Sequence, residues 1–168
     1  MNAMKKDSND KIIHNLRKLK NKAEVLIGNN KVKEAIEIME SARNNHPDNM
    51  IPYISLAEIY TKIGKHEEAL ENIEKAMSVA PKDALAEIYR LKGNLYIEQW
   101  QLEKALETLR TALDKTTIDK DRGYAYFNIG RVYMRQGNIE KAVENIMLAS
   151  KLLPEDSVIL EMLRDLAE

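Results

Sequence analysis

Three columns of small residues recur in step along the chain. Ala23, Ala57, Gly93 and Gly130 form the first, Ala35, Ala69, Ala105 and Ala142 the second, and Ala42, Ala76, Ala112 and Ala149 the third. The intervals are 34, 36 and 37 residues in every column. A composition bias would not hold three columns in register through two changes of spacing. A period of this length means one supersecondary unit used repeatedly, each copy burying its apolar face against the next. The tyrosines make the same point independently. Six of the seven fall into two further columns, Tyr53, Tyr89 and Tyr126, then Tyr60, Tyr96 and Tyr133, with Leu19 and Leu26 in the same places of the first repeat. Partners within a repeat lie two helical turns apart, on one face.

Each repeat therefore reads as two helices. The first carries the tyrosine pair with a small residue between them. The second carries an alanine followed four residues later by an apolar side chain: Ala35 and Met39, Ala69 and Ile73, Ala105 and Leu109, Ala142 and Ile146. Turns are expected at Asn29-Asn30, Gly64, Trp100 and Gly137, where glycine would supply a positive φ at little steric cost. Pro47, Pro81 and Pro154 follow the second helices, which cannot easily run on through them. No alternation of β-branched residues competes with this pattern.

The pattern resembles the tetratricopeptide repeat family, W-x2-L-G-x2-Y, then A-x3-F, then proline. The second repeat matches it with Tyr53, Leu56, Ala57, Tyr60, Ala69, Ile73 and Pro81, and the fourth with Tyr126, Ile129, Gly130, Tyr133, Ala142, Ile146 and Pro154. The third keeps Tyr89, Gly93, Tyr96, Ala105 and Leu109 but has Lys92 for the leucine and Thr117 for the proline; the first has Leu19, Lys22, Ala23, Leu26, Ala35, Met39 and Pro47. The resemblance implies an all-α fold, a right-handed α-solenoid of antiparallel helix pairs. Repeats are expected at about 16–49, 50–83, 86–119 and 123–156, within a single domain over 11–168 that follows a disordered stretch at 1–10. Residues 157–168, apolar at Val158, Leu160, Leu163 and Leu166, read as a capping helix.

Composition removes several functional classes. The 168 residues include 26 Lys+Arg, 27 Asp+Glu and no Cys, for a net charge of −1. That balance offers no global attraction to nucleic acid or anionic membrane, and the missing thiols remove disulfides, thiolate catalysis and zinc–cysteine sites. No secretory signal or membrane-spanning run is visible, so a cytoplasmic location is expected. His14, His46 and His66 lie in separate segments without metal-ligand spacing, and no nucleophile elbow or phosphate-cradling loop occurs. No enzymatic activity, cofactor or metal is expected. Lys5, Lys6, Lys11, Arg17, Lys18, Lys20 and Lys22 make the first helix basic but lack interleaved aromatics, and read as a solvated face rather than a phosphate or membrane contact.

In the family such arrays hold a peptide or partner helix in a groove lined by first helices, and the resemblance implies a protein-interaction adaptor here. Helical geometry puts the residues about 100° around from the tyrosine column on that groove. These are Arg17, Lys20 and Glu24; Ile51, Ile54, Glu58 and Lys62; Glu87, Arg90, Asn94 and Ile97; and Tyr124, Phe127, Arg131 and Arg135. Tyr124 is the one tyrosine outside the repeat frame and Phe127 the one phenylalanine. They would hold an apolar side chain, while Arg90, Arg131, Arg135, Asn94 and Asn128 contact acidic side chains or a terminal carboxylate. The competing reading packs Tyr124 and Phe127 on neighbouring helices and pairs the arginines within the protein. Arg90, Asn94 and Asn128 also resemble the first three members of a five-residue carboxylate clamp known in the family, but Val158 and Met162 stand where its last two cations belong. Trp100 occupies a turn that usually holds a small residue, and is either an exposed contact for another subunit or folded back on Leu102. A homo-oligomeric scaffold with partners on the convex face is the alternative to the adaptor.

Overall fold

A computed structural model describes the backbone of residues 2–166 and the side chains of residues 8–166. Residues 2–10, expected to be disordered, are helical in backbone, and the side chains of Lys5 and Lys6 of the basic face lie outside the described residues. Every regular element among the described residues is helical. The chain divides into two compact units, Met1–Ala80 and Pro81–Glu168.

The first unit contains α1 (Asn2–Gly28), α2 (Val32–Asn45), α3 (Met50–Lys62) and α4 (His66–Val79). The second begins with a single 3-10 turn at Lys82–Ala84 and continues with α5 (Leu85–Glu98), α6 (Leu102–Asp114), α7 (Asp119–Arg135), α8 (Ile139–Leu152) and α9 (Ser157–Asp165). Helices α1 and α2, α3 and α4, α5 and α6, and α7 and α8 pair as hairpins, and α1 also packs on α3 as α5 does on α7.

One turn closes all four hairpins. In each, the amide five residues along reaches back to the last turn of the first helix: Lys31 N to Leu26 O, Lys65 N to Tyr60 O, Gln101 N to Tyr96 O and Asn138 N to Tyr133 O, at 2.8–2.9 Å. This bond needs a left-handed residue just before it. Asn30, Gly64, Trp100 and Gly137 supply it, with φ of 61, 75, 57 and 75°. Between hairpins the chain restarts on side-chain caps. Asn49 accepts from Ile51 N at 3.0 Å, and Asp156 accepts from Val158 N and Ile159 N at 3.1 and 3.2 Å. Each satisfies amides that the first turn of a helix leaves unpaired. Where the third repeat lacks its proline, Thr116 Oγ1 accepts from Ile118 N at 3.0 Å and turns the chain into α7.

The small columns are contact surfaces between paired helices. The four alanines of the second column are fully buried. A Cβ added to Gly93 would lie 2.6 Å from Leu109 Cγ, and one on Gly130 2.5 Å from Ile146 Cγ1. The second helix thus rests in a notch that only hydrogen leaves open. Lys22 and Lys92, at the leucine position of the repeat, do not enter the core; Lys22 is exposed and the Lys92 ammonium lies 6.0 Å from the Tyr96 ring. Helix α9 continues the first-helix frame, with Leu160 one repeat after Tyr126 and Leu163 one after Ile129. Its Ile159 joins Ile146 and Ala149 in the core. At the notch position, however, it carries Arg164, which is exposed.

Candidate functional site

In the second unit, α5 and α7 lie side by side and bring positions one repeat apart into register. Asn94 and Arg131 form one such pair: Arg131 Nη1 donates to Asn94 Oδ1 at 2.6 Å. Glu98 and Arg135 form the next, one helical turn along, with Arg135 Nη2 3.2 Å from Glu98 Oε2. The pairs are cross-linked. Arg131 Nη2 donates to Glu98 Oε1 at 3.0 Å, and its Nη1 also reaches Asn128 Oδ1 at 3.1 Å. Arg135 Nη1 donates further to the Ile97 carbonyl, which also accepts the Trp100 amide. Two guanidinium groups thus share one carboxylate. All three side chains keep about a quarter to a third of their surface in water, so the cluster is rigid yet reachable.

The other sequence-derived residues divide. Arg90 belongs to the face and its guanidinium lies 5.7 Å from the centre of the Tyr124 ring. Tyr124 donates to Asp156 Oδ2 at 3.1 Å, so the carboxylate that caps α9 also anchors this phenol. Burial, then the bond to Asp156, raises the Tyr124 pKa above its ordinary value. Phe127 is a core contact, packed against the Ile146–Ala149–Ile159 cluster together with Met134, Met162 and Leu163. Its apolar ring is drawn into the seam between α7, α8 and α9. Asn128 is 4% exposed and spends its carbonyl oxygen on Arg131. In this unit the expected set therefore needs correction at three places. Phe127 and Asn128 support the site from beneath, and Ile97 is fully buried in the core.

In the first unit the same helical positions give a different surface. Ile54 is 3% exposed, contrary to its expected place on an open face, because α3 is apolar nearly all round and flanked by α1, α2 and α4. Ile51 is half-buried. What lies open between α1 and α3 is a cleft of about 180 Å³ lined by residues including Lys20, Ala23, Ile27, Glu58 and Ile59. Lys20 Nζ stands 3.1 Å from Glu58 Oε2 at its rim.

Trp100, expected either as an exposed contact or folded back on Leu102, stands largely in water. It is 66% exposed, and the Arg135 guanidinium stacks over its ring at 5.0 Å. Glu98, the hub of the network, escapes a reading that follows aromatics and arginines. The signal was present: Glu98 stands one repeat before Arg135, so the column reads Lys62, Glu98, Arg135 and changes sign between successive helices. Among the described residues no cluster of three or more His, Asp or Glu has metal-binding geometry, and no helix is long and apolar enough to cross a membrane.

Comparison with known proteins bears on this geometry. Family models described as tetratricopeptide repeat match residues 48–117 and 123–156. Over 146 residues the chain is 34% identical to the mouse protein O-mannosyl-transferase TMTC1, covering 86% of this chain and 15% of that protein. Over 101 residues it is 31% identical to the bovine BBSome complex member BBS4, covering 60% of this chain and 18% of that one. The chain thus spans under a fifth of the length of either relative. A thermophilic tetratricopeptide protein of known structure from Thermus thermophilus superposes with a TM-score of 0.76 at 20% identity, over 89% of this chain and 79% of its own.

Proposed function

Because the chain belongs to the tetratricopeptide repeat family, we propose that it is a non-enzymatic adaptor whose α5/α7 face takes up a protein segment rich in Asp and Glu. A protein-interaction role follows from the repeat itself and accords with a relative named as a complex member. The choice of face and partner rests on one observation: Arg131 and Arg135 divide a single carboxylate, Glu98, between them. One positive charge in the network is left without an opposite partner, and Arg90 adds a second cation whose near neighbour is a neutral ring. A carboxylate arriving at this face can accept guanidinium N–H groups already fixed in direction, so little side-chain entropy remains to be lost. An affinity near micromolar, about −8 kcal/mol, is the expected scale for one short segment.

Peptide display tests this reading. Peptides selected on the wild-type protein and counter-selected on an Arg90→Ala/Arg131→Ala variant should be enriched in Asp and Glu, and should bind the variant at least about tenfold more weakly. In this variant Glu98 keeps Arg135, so circular dichroism should show the helices intact. Enrichment without acidic bias, or equal binding to both proteins, refutes the proposal.

A further inference from the structure

We infer that Trp100, held by Arg135, is the apolar anchor of the same face, receiving an aliphatic side chain from the acidic partner segment. The inference rests on the adaptor reading above and adds what the partner must carry beside its carboxylates. Its starting point is backbone conformation. The hairpin turn demands a left-handed residue, and the other three hairpins meet that demand with Asn30, Gly64 and Gly137, residues for which it costs little. The third hairpin uses Trp at φ 57°, where a bulky side chain is unfavourable. Core packing does not explain the choice, since 66% of the residue is in water and it is the most exposed large apolar side chain among the described residues.

The surroundings show what the ring is suited to meet. Arg135 lies over it at 5.0 Å and is itself pinned by Glu98 and the Ile97 carbonyl, so the indole is held against a fixed support. The ring is continuous with the arginine pair that carries the unbalanced positive charge. An aromatic plate beside converging cations complements a segment in which an apolar side chain sits next to carboxylates. A purely apolar partner would leave those cations unused, and a basic one would be repelled.

The test uses the full chain and two synthetic acidic peptides without Trp, identical except for Leu or Ala at one central position. Trp100 is the protein's single tryptophan, so its emission reports the contact directly. The Leu peptide should bind wild type about tenfold more tightly than the Ala peptide and should shift the emission to shorter wavelength. Trp100→Gly should erase that preference, leave the Ala peptide's affinity unchanged, and melt no lower than wild type, because glycine relieves the turn. A preference that survives in Trp100→Gly overturns the inference, as does a drop in melting temperature, which would make Trp100 a structural residue. Light scattering that shows mass growing with concentration in wild type but not in Trp100→Gly also overturns it, by making a second copy the occupant. If both peptides bind wild type and are lost in Arg90→Ala/Arg131→Ala while Trp100→Gly changes neither, the adaptor reading stands and the Trp100 anchor fails. If neither peptide binds wild type, both fall.

Discussion

The two units place equivalent helical positions at the seam between their first helices and obtain different surfaces from them. Between α1 and α3 the seam is a small cleft in which Ala23, Ile27 and Ile59 lie among Lys20, Glu24, Glu58 and Lys62, with one ion pair, Lys20–Glu58. Between α5 and α7 it is a linked set of polar side chains in which Asn94, Glu98, Arg131 and Arg135 contact one another. The backbone pattern is shared: paired helices, the same closing turn, small residues at the same contacts. The difference lies at two positions per repeat, the column Glu58, Asn94, Arg131 and the column Lys62, Glu98, Arg135. Positions that hold hairpins together are tightly constrained by packing, while their neighbours one step around the helix are free to carry recognition.

The largest effect is expected at a contact of the kind that both units share. Gly130→Leu forces a side chain into a space where a bare Cβ already meets Ile146 and lies 3.2 Å from the Ala142 carbonyl. It should cost about 3 kcal/mol in a denaturant titration. A loss below about 1 kcal/mol would mean that the notch is not a packing constraint. Next comes the hub. Glu98→Ala leaves two arginines facing each other and should destabilise by about 1–2 kcal/mol, while Glu58→Ala, which ends a single pair outside any network, should cost about 0.5 kcal/mol. Double-mutant cycles on Arg131–Glu98 and Lys20–Glu58 would sharpen this, and equal coupling energies would erase the distinction between the seams.

Smaller effects concern the caps. Asp156→Ala removes the cap of α9 and the acceptor of Tyr124 together, and should cost about 1 kcal/mol, with faster amide exchange confined to α9 and its neighbours. Asn49→Ala in the first unit loses only a cap and should cost less. Exchange spread evenly over both units would contradict a local role. The smallest signal is alkaline. Because the folded protein holds the Tyr124 proton more tightly than the unfolded chain does, its contribution to stability is complete below about pH 10 and is lost as pH rises through the elevated folded value. Tyr124→Phe should flatten that part of the stability profile, and an unchanged profile would remove Tyr124 as its source.

The hairpins were legible from the sequence because their signal repeats. Ala35, Ala69, Ala105 and Ala142 mark one contact four times, and all four are buried. The candidate face was legible only in part. Arg90, Asn94, Arg131 and Arg135 were placed by helical geometry, but Ile54 and Phe127 were assigned to an open surface that the packing of α3 and α9 closes. Periodicity locates a face relative to one helix; how much of that face neighbouring helices cover depends on the widths of side chains outside the pattern. Glu98 was missed for a related reason, since a carboxylate on a helix surface looks like any other until the cation one repeat away is set against it.

Arg164 carries a consequence for growth of the array. In every other first helix its position is Ala or Gly, and a second helix lies against it. A further hairpin assembled to the same plan would have to strip water from a guanidinium. Whatever approaches that flank of α9, whether more of the same polypeptide or another molecule, must come in at a wider stand-off or bring an acid of its own.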